Sequence, residues 1–275
     1  MTPPATEFQS TEEPLGPANS ALGLFLISFA GLFLEILLIR WISTEINIFA
    51  YLQNTVLVVC FMGFGMGCMT SRQPIDLRRS LISLILLVFL LAIPASRMAL
   101  GKISHMLSSI GDLIVWDMVF SEHPMETILN VSLGLAVTFF LMVLIWGIFL
   151  PIGRILGRCM DSHPNPILAY SINIVGSLLG IWCFTLLSVF YQPPFIWFIV
   201  AALCLAPFLG KWGKGSVCNG ALLAGMVVLA WFAGRDPSAK DFLWSPYQKL
   251  VLYPFTGDAP AGNYFVSVNN TFYLA

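Results

Sequence analysis

Glu35 is the one acidic residue well inside an apolar run of this chain, the stretch 21–42. An isolated charge in hydrocarbon is prohibitive, so a carboxyl there must be neutral, paired or hydrated, and it should face protein or water. Two roles fit: binding a proton or small cation, or closing a structural hydrogen bond. Arg40 lies five residues on. Five residues rotate a helix by about 500°, leaving the two side chains about 140° apart and poorly placed as partners, unless Arg40 snorkels and pairs at the helix end. Asn54, Tyr170 and Asn173 are the partner candidates from other helices. Tyr170, Asn173 and Ser177 recur at three- to four-residue spacing and so share one helix face, where a polar stripe can glue helices or line a cavity.

No other constellation carries chemistry. Cys60, Cys68, Cys159, Cys183, Cys204 and Cys218 include no C-x-x-C pair, and most sit in apolar runs, where thiols act as small packing groups. His105, His123 and His163 are far apart in polar connections, so no metal-ligand spacing is present. Gly63-Phe64-Gly65-Met66-Gly67 has no strand before it and is not a nucleotide loop. With Gly176-x-x-x-Gly180, and with Gly153 and Gly157, it fits close helix packing, with a substrate path as the alternative.

These residues need a hydrophobic scaffold, and the composition supplies one. The chain is 58% hydrophobic and 10% charged, against about 25% charged in soluble domains. A net charge of −1 gives no reason to expect nucleic acid. Seven apolar stretches, near 21–42, 52–71, 80–97, 128–152, 167–190, 195–210 and 217–234, predict an all-α multi-pass bundle of about seven transmembrane helices, with the lipid bilayer as partner. Tight connections at 43–51, 72–79, 191–194 and 211–216 predict antiparallel neighbours. The connection 98–127 carries Ile103, Met106, Leu107, Ile110, Leu113 and Ile114 at helical spacing, which predicts an amphipathic helix covering the bundle.

Loop charge predicts orientation in the cell (inner) membrane. The connections after stretches two, four and six hold Arg72, Arg78, Arg79, Arg154, Arg158, Lys211 and Lys214 against Asp76 and Asp161, whereas the others carry mainly Glu45, Asp112, Asp117, Glu122 and Glu126. Basic loops stay cytoplasmic. The polar segment 1–20, which reads as a disordered tail, is then inside, and residues after Gly234 are outside. Residues 235–275 change character: Tyr247–Phe255 and Tyr264–Leu274 have strand composition around a Gly/Pro-rich loop, which predicts a β-hairpin. A lone hairpin is marginal in water, so it is expected to stand exposed as the start of a further soluble domain.

Leu34-Glu35-Ile36-Leu37 with Arg40, the Gly63–Gly67 run, Gly157-Arg158, and Tyr170-x-x-Asn173-x-x-Gly176-Ser177-x-x-Gly180 together resemble the membrane domain of spermidine-synthase-like membrane proteins. Ser245-Pro246-Tyr247-Gln248-Lys249-Leu250 is similar to the signature opening that family's soluble aminopropyltransferase domain, and Val268-Asn269-Asn270 resembles the turn of its next strand. Phe272 and Tyr273 stand where soluble members carry a glutamine. The resemblance implies that Tyr247 and Gln248 belong to a substrate pocket for a polyamine or related cation. It also implies a full-length relative using an S-adenosyl-type cofactor, whose Gly-rich loop and catalytic Asp have no counterpart within residues 1–275, so this chain is expected to be a truncated fragment without a catalytic site of its own. A small-solute or cation transporter with its site near Glu35 is the other function the residues suggest.

Overall fold

The computed structural model describes residues 20–46, 49, 53–93, 95–96, 99–100, 102–103, 107, 124–209, 214–233, 238–254, 264–269 and 271–274. Each apolar stretch forms a helix: α1 (Ala21–Glu45), α2 (Gln53–Met69), α3 (Leu77–Ala92), α4 (Pro124–Asp161), α5 (Pro166–Val189), α6 (Pro194–Leu205, continued by a 3-10 turn Ala206–Phe208) and α7 (Lys214–Phe232). Helix starts follow the local chemistry. The Ser20 hydroxyl caps α1 by accepting from the Gly23 N–H at 3.0 Å. Asn165 caps α5 through the Ile167 and Leu168 amides, with Pro166 in the first turn, where its missing N–H costs nothing. After α5 the chain closes with Tyr191 N–H on Ser188 O and Gln192 N–H on Leu187 O, with Tyr191 at φ 56 in the left-handed region that glycine usually fills.

The expected count of about seven spans is corrected. Among the described residues, three helices are long and apolar enough to cross a membrane: Ala21–Glu45, Met125–Asp161 and Pro166–Val189. At 1.5 Å per residue, the 17 residues of α2, 16 of α3 and 12 of α6 reach only about 26, 24 and 18 Å, short of about 30 Å of hydrocarbon. In α7 the apolar part, Val217–Phe232, is likewise short. Conversely, α4 is 38 residues long and carries Arg154 and Arg158 on its last turns rather than in a connection. Pro151 interrupts its backbone ladder, and there the Ser80 hydroxyl of α3 donates to the Ile148 carbonyl at 2.6 Å. The amphipathic segment expected over 98–127 lies largely outside the described residues, although Leu100, Ile103 and Leu107 are buried in the core. The tail at 1–19 lies outside them altogether.

Glycines set the helix pairs. A Cβ on Gly176 would meet the Phe25 carbonyl oxygen at 2.8 Å, and one on Gly180 the Phe29 carbonyl oxygen at 2.5 Å, so α5 lies backbone to backbone on α1. Their contact residues rise together along both chains, which makes α1 and α5 parallel. Gly63 and Gly67 of α2 face Trp146, Phe149, Leu150 and Gly153 of α4, and Gly157 of α4 faces Cys68, again a parallel pair. Gly65 has nothing within 4 Å of its Cβ position and takes no part in packing. α1 and α2 are antiparallel, as their short connection predicts: Gly31 meets Phe64, and Cys60, one turn back along α2, lies within electrostatic reach of Glu35, one turn on along α1.

Two ends of the bundle follow from these directions. The starts of α1, α3 and α5 and the ends of α2 and α4 share one end, where Arg154 and Arg158 bond the 70–74 connection. At the other end, where α1 finishes, sits a four-stranded antiparallel sheet in the order β1 (Asp241–Trp244), β2 (Lys249–Pro254), β3 (Tyr264–Val268), β4 (Thr271–Leu274). The expected two-stranded hairpin is thereby corrected. Asn269, at φ 48, turns the chain inside the run 264–274 and splits it into β3 and β4, while β1 adds an edge beside β2.

Candidate functional site

The sheet does not stand exposed; it docks on the end of α1 through two cations. Lys249 Nζ lies 2.9 Å from Glu45 Oε1, with both side chains almost wholly buried, and 5.5 Å from the centroid of the Trp244 ring. Burying two charges costs several kcal/mol each, and the short ion pair is what offsets that cost. Arg40, just over one turn earlier on α1, donates its two terminal nitrogens to the backbone carbonyls of Ser245 and Pro246 and lies over the Trp197 ring. Trp244 of β1 meets Trp197 of α6 edge to face at 5.5 Å. Asn269 completes the junction: its Oδ1 accepts from the Lys249 N–H and its own N–H donates to the Lys249 carbonyl, both at 2.9 Å. The Ser245 hydroxyl accepts from the Gln248 N–H at 3.0 Å and is 2.8 Å from the Gln248 carbonyl, to which it donates, so the 245–248 turn is rigid from within as well.

Between these anchors Tyr247 is 89% exposed and Gln248 is exposed. They are the turn residues whose side chains the docking contacts leave free to meet a ligand. A phenol face offers a cation site and the glutamine amide oxygen an acceptor beside it.

Glu35 is 2% exposed on α1 and its Oε2 has no hydrogen-bond partner. None of the expected partners reaches that oxygen. Tyr170 is 59% exposed and Asn173 half-buried, both near the start of α5. Because Gly176 meets Phe25 and Ser28 of the parallel α1, Asn173 sits roughly ten residues, about 15 Å, short of Glu35. Asn54 is exposed on α2, six residues beyond Cys60 towards the sheet end. Arg40 points to the sheet rather than to Glu35, in keeping with the 140° between them, and its Nε is likewise unpartnered. Among the described residues no group of three His, Cys, Asp or Glu is placed to hold a metal ion, and all six cysteines are free.

Sequence inspection missed Glu45, Lys249, Asn269 and Trp197 as a unit. The available signal was a lysine opening an otherwise apolar strand, which needs an acid if the strand docks on its lysine face.

Fold and site define an apolar helical bundle, with three helices among the described residues long and apolar enough to cross a membrane, carrying a small antiparallel sheet clamped to one end. None of the known protein families, curated proteins or solved structures compared with the chain matches it.

Proposed function

We propose that the chain is the membrane bundle and entry sheet of a spermidine-synthase-like membrane protein, in which the bundle holds a cation-binding turn at the membrane surface. One observation carries this reading: the 245–249 turn is fastened on both sides, by Arg40 and by Glu45, and leaves Tyr247 and Gln248 facing outward. These are the two residues that the resemblance assigns to a polyamine pocket. The whole protein's aminopropyl transfer, with its S-adenosyl-type cofactor, belongs to the same proposal and needs residues beyond these. Equilibrium dialysis of spermidine against the purified chain tests it. Tyr247→Ala and Gln248→Ala should each weaken binding a few-fold, because an exposed cation–π contact or a solvent-accessible hydrogen bond contributes roughly 0.5–1 kcal/mol. Wild-type affinity in both variants, or no binding by the wild type, sinks the reading.

A second reading, a cation or proton site at Glu35, is favoured by the unpartnered Oε2. The same dialysis separates the two. Glu35→Gln should abolish binding if Glu35 holds the cation, and leave it unchanged if the turn does, compared at matched thermal stability.

The excess of arginine at the end opposite the sheet supports a cytoplasmic basic end and an external sheet. Single cysteines at Gln73 and at Tyr247, in a background lacking the native thiols, should react with an impermeant reagent from opposite sides of the membrane. Labelling from one side overturns the orientation.

A further inference from the structure

At the end of the bundle away from the sheet, five arginines gather around the 70–76 connection: Arg72 within it, Arg78 and Arg79 on the first turn of α3, and Arg154 and Arg158 on the last turns of α4. Two of them are consumed internally. Arg154 donates to Thr70 Oγ1, Gln73 Oε1 and the Pro74 carbonyl at 3.1, 2.6 and 2.9 Å. Arg158 donates to the Ser71 and Gln73 carbonyls, each at 2.8 Å from Nη2. These bonds satisfy carbonyls of the connection just after α2 and fix it, but neutralise no charge. Among the described residues, Asp76 and Asp161 are the acids of this end, and the ion pair Lys249–Glu45 is distant from it. Among these described side chains, five arginines against two aspartates leave an excess of three positive charges.

Arg72, Arg78 and Arg79 are exposed, and among the described residues the bond they make is that of Arg78 Nε, 3.1 Å from Asn219 Oδ1 of α7. At the same end two large apolar side chains stand in the open: Met69, three residues before Arg72 at the end of α2, is 87% exposed, and Val217, two residues before Asn219 on α7, is 73% exposed. Guanidinium groups at the rim of an exposed hydrophobic belt match a molecule with anionic oxygens at one end and hydrocarbon at the other.

We propose that this end of the bundle is a binding surface for the headgroups of anionic phospholipids, with Arg72, Arg78 and Arg79 on the phosphate and Met69 and Val217 against the first acyl carbons. Arg154 and Arg158 are positioning residues that hold the 70–76 connection in place. The proposal rests on the bundle being embedded in a membrane and not on the polyamine reading.

The test titrates phosphatidylglycerol and phosphatidylcholine into the full chain in a neutral detergent, with bound lipid counted by native mass spectrometry. Three surface arginines predict a preference for phosphatidylglycerol on the order of a hundredfold. Arg72→Gln/Arg78→Gln/Arg79→Gln should reduce that to a few-fold, while the thermal unfolding midpoint stays as in the wild type. Soluble glycerol 3-phosphate at equal concentration should displace no lipid; full displacement would mean a site for a free phosphate and overturns the lipid assignment. Equal affinity for the two lipids, or a preference kept by the triple variant, overturns the surface itself. Should the variant not fold, the wild type in rising salt decides: the preference must decline between about 0.05 and 0.5 M, where screening shortens from beyond 10 Å to a few ångströms, and a salt-independent preference overturns the proposal.

Discussion

Lys249→Met is expected to destabilise the docked sheet by about 3–5 kcal/mol, the usual cost of leaving one partner of a buried ion pair uncompensated. The remaining Glu45 carboxylate would be enclosed at the end of α1, having lost the ammonium 2.9 Å away. Because Lys249 also faces the Trp244 ring and starts β2, the loss should appear as undocking of β1 and β2 with the helices intact. Amide exchange over 241–254 should rise by two orders of magnitude or more while exchange in α1 and α5 is unchanged. Pairing it with Glu45→Leu should recover most of the loss, since an apolar pair of similar volume avoids both desolvation costs. If the single variant exchanges like the wild type, the ion pair does not hold the sheet. If the double variant is worse than the single, Glu45 has a role beyond pairing with Lys249.

Alanine substitution at three glycines should give effects of opposite sign from nearly identical sequence. At Gly67 the new Cβ would lie 2.5 Å from the Leu150 carbonyl oxygen and 2.7 Å from the Gly153 Cα, and at Gly180 2.5 Å from the Phe29 carbonyl oxygen. All three obstacles are backbone, so relief requires whole helices to separate, and about 1–3 kcal/mol of destabilisation follows for each variant. At Gly65, two residues from Gly67, the Cβ position is open, and alanine should instead stabilise by roughly 0.5–1 kcal/mol through helix propensity. Thermal unfolding in one detergent measures all three. A Gly65→Ala protein as damaged as Gly67→Ala would show that the glycine run serves something other than the α2–α4 contact.

Several elements were legible because their causes are local. Continuous apolar runs located seven helices to within a few residues, apart from the nine-residue extension of α4. Gly176 and Gly180, read as close-packing positions, lie against the α1 backbone. Length was the failure: an apolar run says that a segment avoids water, but not whether it avoids water among lipid tails or among other helices. Thus α2, α3 and α6 read as spans although they are too short for one. Glu35, read as a carboxyl inside an apolar run, is buried on α1, while Asn54, Tyr170 and Asn173 lie at other levels of the bundle, because a shared helix face carries no information about axial level.

Taken alone, the sequence determined an apolar helical bundle, its strand-forming end, the glycines that let helices touch, and the gathering of arginine in alternate connections. Each of these depends on neighbours within a few residues, which the chain order preserves. Only the tertiary structure decided that α2 packs its glycines on α4 while touching α1 through Phe64, that α5 runs parallel to α1, and that Glu45, a loop charge by position, closes on Lys249 some two hundred residues away. A glycine stripe permits close approach by any helix, and a lone acid attracts any base. Which one arrives is settled by how the whole set of helices fits together, and no local pattern records that.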